Sequence, residues 1–152
     1  MFREIGSTDG VSELVGNLGH VYLRLGRYED AARNLEQALA TFRQIGDRIL
    51  QASALNGLGE VLIRTGETQQ ACVRHAAALM LASETRVPWV QARAHSGLAA
   101  ACQADGDLVQ ARHHWQEALT RYAAIGAPEA DEIRARLAMA DGDPLNCDAA
   151  TT

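Results

Sequence analysis

Histidine and cysteine side chains of the kind that bind metals lie close together in the middle of the chain. His75 and His95 each belong to an apolar helical stripe, and Cys72 and Cys102 lie near them in the same pattern. Thiolate and imidazole groups are the usual ligands of structural zinc, but the three cysteines lack the paired spacing of a zinc motif. We therefore interpret the histidines as polar-tipped core residues and the thiols as small hydrophobic groups. We predict neither a metal nor another cofactor, and a buried His/Cys metal site is the alternative.

No arrangement of a nucleophile and a base is identifiable. Ser96 follows His95 directly, and neighbouring residues of a helix do not face each other. His113 and His114 are consecutive in the same way, while Trp115 belongs to an apolar stripe and is predicted to be core. No phosphate-binding glycine loop is present. The carboxylates near the end of the chain are interpreted as solvated surface groups: Glu129, Asp131 and Glu132. We predict that the chain is not an enzyme.

Composition excludes several partners. The 152 residues carry a net charge of −5, which disfavours direct contact with nucleic acid. No apolar run approaches the length of a membrane span, and the first residues do not have the layout of a signal peptide. All 14 basic residues are Arg, which suggests a bacterium with a G+C-rich genome. We predict a cytoplasmic protein with no membrane partner and with free thiols.

Four sets of residues recur every 40 positions, and they indicate the elements that must position any site. The sets are Gly26, Gly66 and Gly106; Ala31, Ala71 and Ala111; Leu18, Leu58 and Leu98; and Ala38, Ala78 and Ala118. A fixed period of this length is typical of stacked-repeat architectures. Apolar residues with helical spacing precede and follow each glycine, so each unit is predicted to be a helical hairpin whose first helix ends at the glycine.

The predicted fold is all-α, a right-handed α-solenoid of three stacked helical hairpins with a C-terminal capping helix. The predicted boundaries are a remnant of a preceding repeat at 1–6, repeats at 7–46, 47–86 and 87–127, a capping helix at 128–140 and a disordered tail at 141–152. The remnant is inferred because Phe2 and Ile5 precede Phe42 and Ile45 by 40 residues. We accordingly expect the chain to be cut from a longer protein.

The pattern resembles the tetratricopeptide repeat. Unit one matches it best, with Leu18-Gly19, Tyr22, Gly26, Tyr28 and Ala31 in the string NLGHVYLRLGRYEDA. Units of 40 residues rich in Arg and Ala further resemble the C-terminal repeat domains of actinomycete antibiotic regulatory proteins, the AfsR-like transcriptional regulators. The segments ALNGLGEVLIRTGETQQA and QARAHSGLAAACQADGDLVQARHHWQEAL carry that likeness. The resemblance implies a terminal sensor or protein-interaction domain of such a regulator.

The family pattern also implies a concave surface formed by the first helix of each hairpin. Its candidate peptide-binding residues are Glu13, Asn17, His20, Leu23 and Arg24; Asn56, Glu60, Ile63 and Arg64; and Arg93, Ser96 and Gln103. This mixed surface with several arginines suits a peptide that carries acidic groups. The alternative is that Arg24 and Arg64 are solvated, or pair with Glu60 or Glu67.

Three functional hypotheses follow from these observations. The first is a non-catalytic module that binds a protein or peptide, including other domains of the same regulator. The second is self-association as a homodimer, through an open N-terminal stacking face beside Val11, Leu14 and Tyr28. The third is a sensor for a signalling ligand in the groove.

Overall fold

The chain folds into α-helices, as its 3.6-residue periodicity predicts. The computed structural model describes residues 17–140, and this range contains seven helices and no strand. They are α1, described over 17–24, α2 (Tyr28–Ile45), α3 (Arg48–Arg64), α4 (Thr68–Thr85), α5 (Pro88–Ala104), α6 (Leu108–Ala124) and α7 (Glu129–Ala140). The all-α prediction is confirmed. The predicted remnant at 1–6 and tail at 141–152 lie outside the described residues.

The helices stack in chain order as an α-helical repeat solenoid, which confirms the predicted fold class. Each of α2 to α6 packs against the helix that follows it, and α3 also contacts α5. Helix α1 packs on α2, because a Cβ added to Gly19 would lie 2.6 Å from Cγ of Leu35. Three hairpins result, α1–α2, α3–α4 and α5–α6, and α7 covers the open side of the last.

Glycine ends the first helix of each hairpin, as predicted. Gly26, Gly66 and Gly106 have φ of 77°, 85° and 82°, a left-handed conformation that costs glycine little. In each case the next N–H turns back to the helix, for example from Arg27 to the carbonyl oxygen of Tyr22 at 2.8 Å. The 40-residue period therefore fixes where each hairpin turns.

One turn between hairpins departs from this rule. Gly46 and Gly126 take left-handed conformations after α2 and α6, with φ of 75° and 67°. Arg86 occupies the same repeat position after α4 and has φ of 56°. A residue with a side chain is strained in this region, so the turn after α4 is more strained than the equivalent turns after α2 and α6.

Small residues bring the helices close together, and the interior is built on them. The repeated alanines at 31, 71, 111, 38, 78 and 118 are all buried, and so are Leu58 and Leu98. Leu18 holds the same repeat position as these leucines but is 40% exposed. Burial is therefore not equal across the three units at this position.

In α2 and in α4, one buried side chain packs against two glycines of the neighbouring helices. Gly19 and Gly57 lie against Leu35 in α2, and Gly59 and Gly97 lie against His75 in α4. A Cβ at either of the latter glycines would overlap the imidazole ring. The histidine is thus held between α3 and α5 with no exposed surface.

Candidate functional site

A groove of about 940 Å³ runs along the inner side of the stack. Helices α1, α3, α5 and α7 line it, together with side chains from the start of α2 and from α6. Seven of the predicted concave residues lie on its wall: Leu23, Arg24, Glu60, Ile63, Arg64, Arg93 and Ser96. The repeat register thus brings together side chains from all three hairpins, because equivalent positions of stacked first helices face the same side.

The remaining predicted site residues do not line the groove. Asn56 has no exposed surface and instead hydrogen-bonds His75, with 2.9 Å between Oδ1 and Nδ1. The prediction that Asn56 presents its amide to a partner is wrong, because the buried imidazole requires an acceptor. Asn17 and Gln103 are exposed outside the groove lining. Glu13 lies outside the described residues.

The Arg93 side chain contacts other residues of the chain, Glu60 and His20. Its Nε and Nη2 donate to Oε1 of Glu60 at 3.0 and 2.8 Å, and Nη2 lies 3.3 Å from Nδ1 of His20. Burial, and then the Arg93 charge, lower the pKa of His20, so its neutral ring accepts from the guanidinium. The predicted concave residue His20 therefore acts here as a link, and His20, Glu60 and Arg93 join the first helices of all three hairpins.

Arg24 and Arg64 have a different role from Arg93. Both are exposed, both border the groove, and neither makes an ion pair with another residue of the described range. The expected alternative partner, Glu60, is taken by Arg93. Within residues 17–140, these two guanidinium groups at the carboxyl ends of α1 and α3 therefore have no carboxylate partner, and guanidinium groups form charge-assisted hydrogen bonds with anionic groups.

The opposite side of the groove is acidic and aromatic, and it was not predicted. Glu129, Glu132, Ile133 and Arg136 of α7 line it. Arg136 pairs with Glu132 at 2.9 Å and lies 5.1 Å from the ring centroid of Trp115. The interpretation of Glu129 and Glu132 as plain solvated surface missed this placement. The signal existed, because Ile133 and Arg136 follow Arg93 and Ser96 by 40 residues.

Trp115 and Tyr122 of α6 lie between these two sides. Both are buried, which confirms Trp115 as core, yet each also contributes to the groove wall. Burial raises the pKa of Tyr122, whose phenol group interacts with the Ser96 side chain. The pairing gives Ser96 a structural partner across α5 and α6. The groove therefore has an apolar, aromatic floor between a basic rim and an acidic rim.

The residues that suggested a metal site separate into different pairs. His75 bonds Asn56, His95 and His114 have their Nδ1 atoms 3.1 Å apart, and Cys72 interacts with Cys102. Burial lowers the pKa of both His75 and His95 to about 4. Within residues 17–140, no group of three or more His, Cys, Asp or Glu is arranged to hold a metal ion. His75 and His95 are thus neutral at pH 7.

None of the helices described is both long and apolar enough to cross a membrane.

Comparison with known proteins identifies the repeat. Two models of the tetratricopeptide repeat match the sequence, one over residues 11–82 and one over residues 92–117. No curated protein sequence matches it.

Three solved structures show the same fold. A Rap protein complexed with competence and sporulation factor superposes with a TM-score of 0.84 at 14% identity, over 94% of this chain and 40% of that one. The apo form of RapI gives 0.79 at 15% identity, over 95% and 40%. The repeat domain of Arabidopsis FLU gives 0.68 at 21% identity, over 77% and 98%. The chain thus spans about two fifths of the Rap structures, and identities this low show the fold alone.

Proposed function

We propose that this chain, which belongs to the tetratricopeptide repeat family, is a non-catalytic module that binds a protein or peptide in the groove. The fold is typically a non-catalytic scaffold for protein–protein interaction, since stacked hairpins create an extended concave surface. The observation that carries the proposal is the pair Arg24 and Arg64, which have no ion-pair partner within residues 17–140 and lie beside an apolar floor. This arrangement favours a segment with acidic side chains next to apolar ones.

The groove also limits how such a segment binds. Acidic side chains of the partner lie at Arg24 and Arg64, and its apolar side chains pack on Leu23, Ile63 and Trp115. The Glu129 carboxylate at the other end, beside the ion pair of Glu132 with Arg136, favours a basic or neutral terminus there. A segment of this polarity enters in one direction, because the reverse orientation places like charges together at both ends.

We further place the module in a cytoplasmic bacterial transcriptional regulator that controls antibiotic biosynthesis. The 40-residue Arg- and Ala-rich units, which resemble those of actinomycete AfsR-like regulators, support this context. So does the similarity in fold to a Rap protein complexed with competence and sporulation factor. The partner is then another domain of the same regulator or a separate protein. Sensing of a signalling ligand in the same groove is the alternative.

Binding of a charged peptide library tests the groove directly. The protein should retain peptides that combine acidic and apolar residues, and the Arg24→Glu, Arg64→Glu double variant should bind them at least about tenfold more weakly. Affinity should also fall as salt is raised, because exposed charges are screened. Fluorescence anisotropy at two salt concentrations measures both effects.

Arg33 and Arg43 supply a matched control. Both are exposed on α2 and neither lines the groove. The Arg33→Glu, Arg43→Glu variant carries the same charge change as the groove variant and should bind as the unmodified protein does. Equal loss of affinity in both double variants would remove the groove from the proposal and leave a general charge effect.

Self-association is a second candidate, favoured by one observation on α1. Leu18, Val21 and Leu25 are 40%, 48% and 67% exposed, and their spacing places them on one helical face. Of the predicted face, Val11 and Leu14 lie outside the described residues, and Tyr28 is half-buried and lines the groove. Multi-angle light scattering over a hundredfold concentration range should show a dimer that the Val21→Asp, Leu25→Asp variant abolishes. A monomer at every concentration would exclude this candidate.

A further inference from the structure

Cys72 and Cys102 face each other across the packed helices α4 and α5. The two helices are antiparallel, and contacts at both ends fix how they pair. At one end the Gln91 side chain donates to the carbonyl oxygen of Ala82 at 3.0 Å, and at the other the Thr68 hydroxyl donates to the Asp105 carboxylate. Cys72 lies one turn inside Thr68 and Cys102 one turn inside Asp105, so the register brings the thiols opposite each other.

The two thiols are near enough to affect each other's ionisation. Each cysteine is among the groups that shift the pKa of the other, and both are free thiols with part of their surface exposed. The equivalent positions one repeat earlier hold Ala32 and Leu62, so the pair is not a feature of the repeat pattern. Two thiols at paired positions of adjacent packed helices are candidates for a disulfide, which closes when their Cβ atoms come within about 4.5 Å of each other.

We propose that Cys72 and Cys102 form a redox-sensitive disulfide site that links hairpin two to hairpin three. The co-reactant is a small disulfide such as oxidised glutathione. One cysteine thiolate attacks a sulfur of this disulfide, a mixed disulfide forms and one glutathione thiolate leaves. The second cysteine, as thiolate, attacks the protein sulfur of the mixed disulfide and expels the second glutathione. Both cysteines are oxidised, and one glutathione disulfide is reduced to two glutathione thiols, which take up through solvent the two protons that the cysteines lose.

The surroundings of the thiols set the conditions under which the link forms. Burial, and then the nearby carboxylate of Asp105, raise the pKa of the Cys72 thiol, and burial raises that of Cys102. Because the thiolate is the reacting form, oxidation should be slow at neutral pH and accelerate as pH rises. The closed link would hold α5, which carries Arg93 and Ser96, against the preceding hairpin. The site thus couples oxidation to the geometry of the groove.

Peptide mapping after oxidation tests the proposal. The reduced full chain, at low concentration, is incubated with oxidised glutathione at pH 7 and pH 9, quenched with acid and digested with trypsin without reductant. The expected product joins the peptides of residues 65–74 and 94–112, has two hydrogens fewer than their sum, and separates on addition of dithiothreitol. The link should raise the melting temperature by roughly 5–10 °C, since it closes a loop of about 30 residues.

Variants and a denatured control decide between a folded site and chance pairing. Cys147→Ser should retain the link and Cys102→Ser should lose it, with circular dichroism confirming that both variants are folded. The link should also form faster in the native protein than in urea, because the fold holds the thiols together. The proposal is overturned if Cys72 and Cys102 carry only separate glutathione groups, pair mainly with Cys147, or join no faster in the folded state than in urea.

Discussion

Acidification should destabilise the solenoid through His75. The ring lies between Gly59 and Gly97 with no exposed surface, and its Nδ1–H donates to Oδ1 of Asn56 at 2.9 Å. Nε2 has no hydrogen-bonding partner within the described residues. A second proton on the ring would therefore add a buried N–H without an acceptor and a charge without water. Burial accordingly lowers the pKa of His75 to about 4.

The magnitude follows from this shift. An unfolded histidine has a pKa of about 6.5, so between pH 6.5 and 4 the unfolded state binds more protons than the folded state. Stability is therefore lost as pH falls through this window, by about 2 kcal/mol at pH 5 and about 3 kcal/mol below pH 4. Nearby charges offset each other, since Glu60 raises the pKa and Arg93 lowers it. His95, whose pKa burial also lowers to about 4, acts in the same direction.

Urea unfolding at pH 7 and pH 5 measures the effect. The His75→Leu variant is the test, because Leu35 fills the same repeat position in α2. It should lose about 2 kcal/mol less than the unmodified protein between the two pH values. Gln116→Leu, a change to leucine at an exposed position of α6 that carries no titrating group, should leave the pH dependence unaltered. The reasoning is refuted if His75→Leu keeps the full pH dependence, or if the His75 ring resonances titrate near pH 6.5 in an NMR experiment.

Three further substitutions probe the packing and the turns, each by thermal or urea unfolding. Gly97→Ala should lower the free energy of unfolding by about 2 kcal/mol, because the added Cβ overlaps the His75 ring. This loss should vanish when His75→Ala is added. An equal loss with and without His75→Ala would contradict the close approach of Gly97 to the ring. Arg86→Gly should raise the free energy of unfolding by about 1 kcal/mol, because glycine adopts the left-handed conformation at φ 56° without strain. The reverse change at the equivalent turn, Gly126→Arg, should destabilise the protein. If Arg86→Gly gives no gain in stability, the turn is unstrained. Trp115→Ala should cost about 3–5 kcal/mol as the loss of a buried aromatic side chain, and an unchanged melting temperature would mean that α6 is rotated from its assigned register.

The helical hairpins could be predicted from the sequence because their signals are local. A glycine with positive φ ends each first helix, and alanines with helical spacing mark the buried faces. The same local rule could not show that Arg86 would adopt the turn conformation of Gly46 and Gly126. There the packing of the flanking helices overrides the preference of the residue.

The groove was only partly predictable, because its chemistry depends on which polar side chains form ion pairs or hydrogen bonds with one another and which stay open to a partner. Arg24, Arg64 and Arg93 are equal candidates in the sequence, yet only Arg93 meets both Glu60 and His20. Asn56 has the register of a surface residue but is drawn inward by the histidine at position 75. Such choices are set by contacts between residues 19 to 73 positions apart, which periodicity alone does not report.

Departures from the repeat, rather than the repeat itself, carry what is specific to this chain. A perfect 40-residue copy of unit one would place leucine at positions 75 and 115 and alanine at position 72. The actual His75, Trp115 and Cys72 introduce a buried titrating group, an aromatic groove wall and a thiol facing Cys102. All three changes lie in units two and three. A repeat stack is stabilised mainly by contacts between neighbouring units, and His75 and Cys72 both lie on α4, which packs against α5. The interface between hairpins two and three is therefore where pH, redox state and a partner in the groove would act on the same contacts.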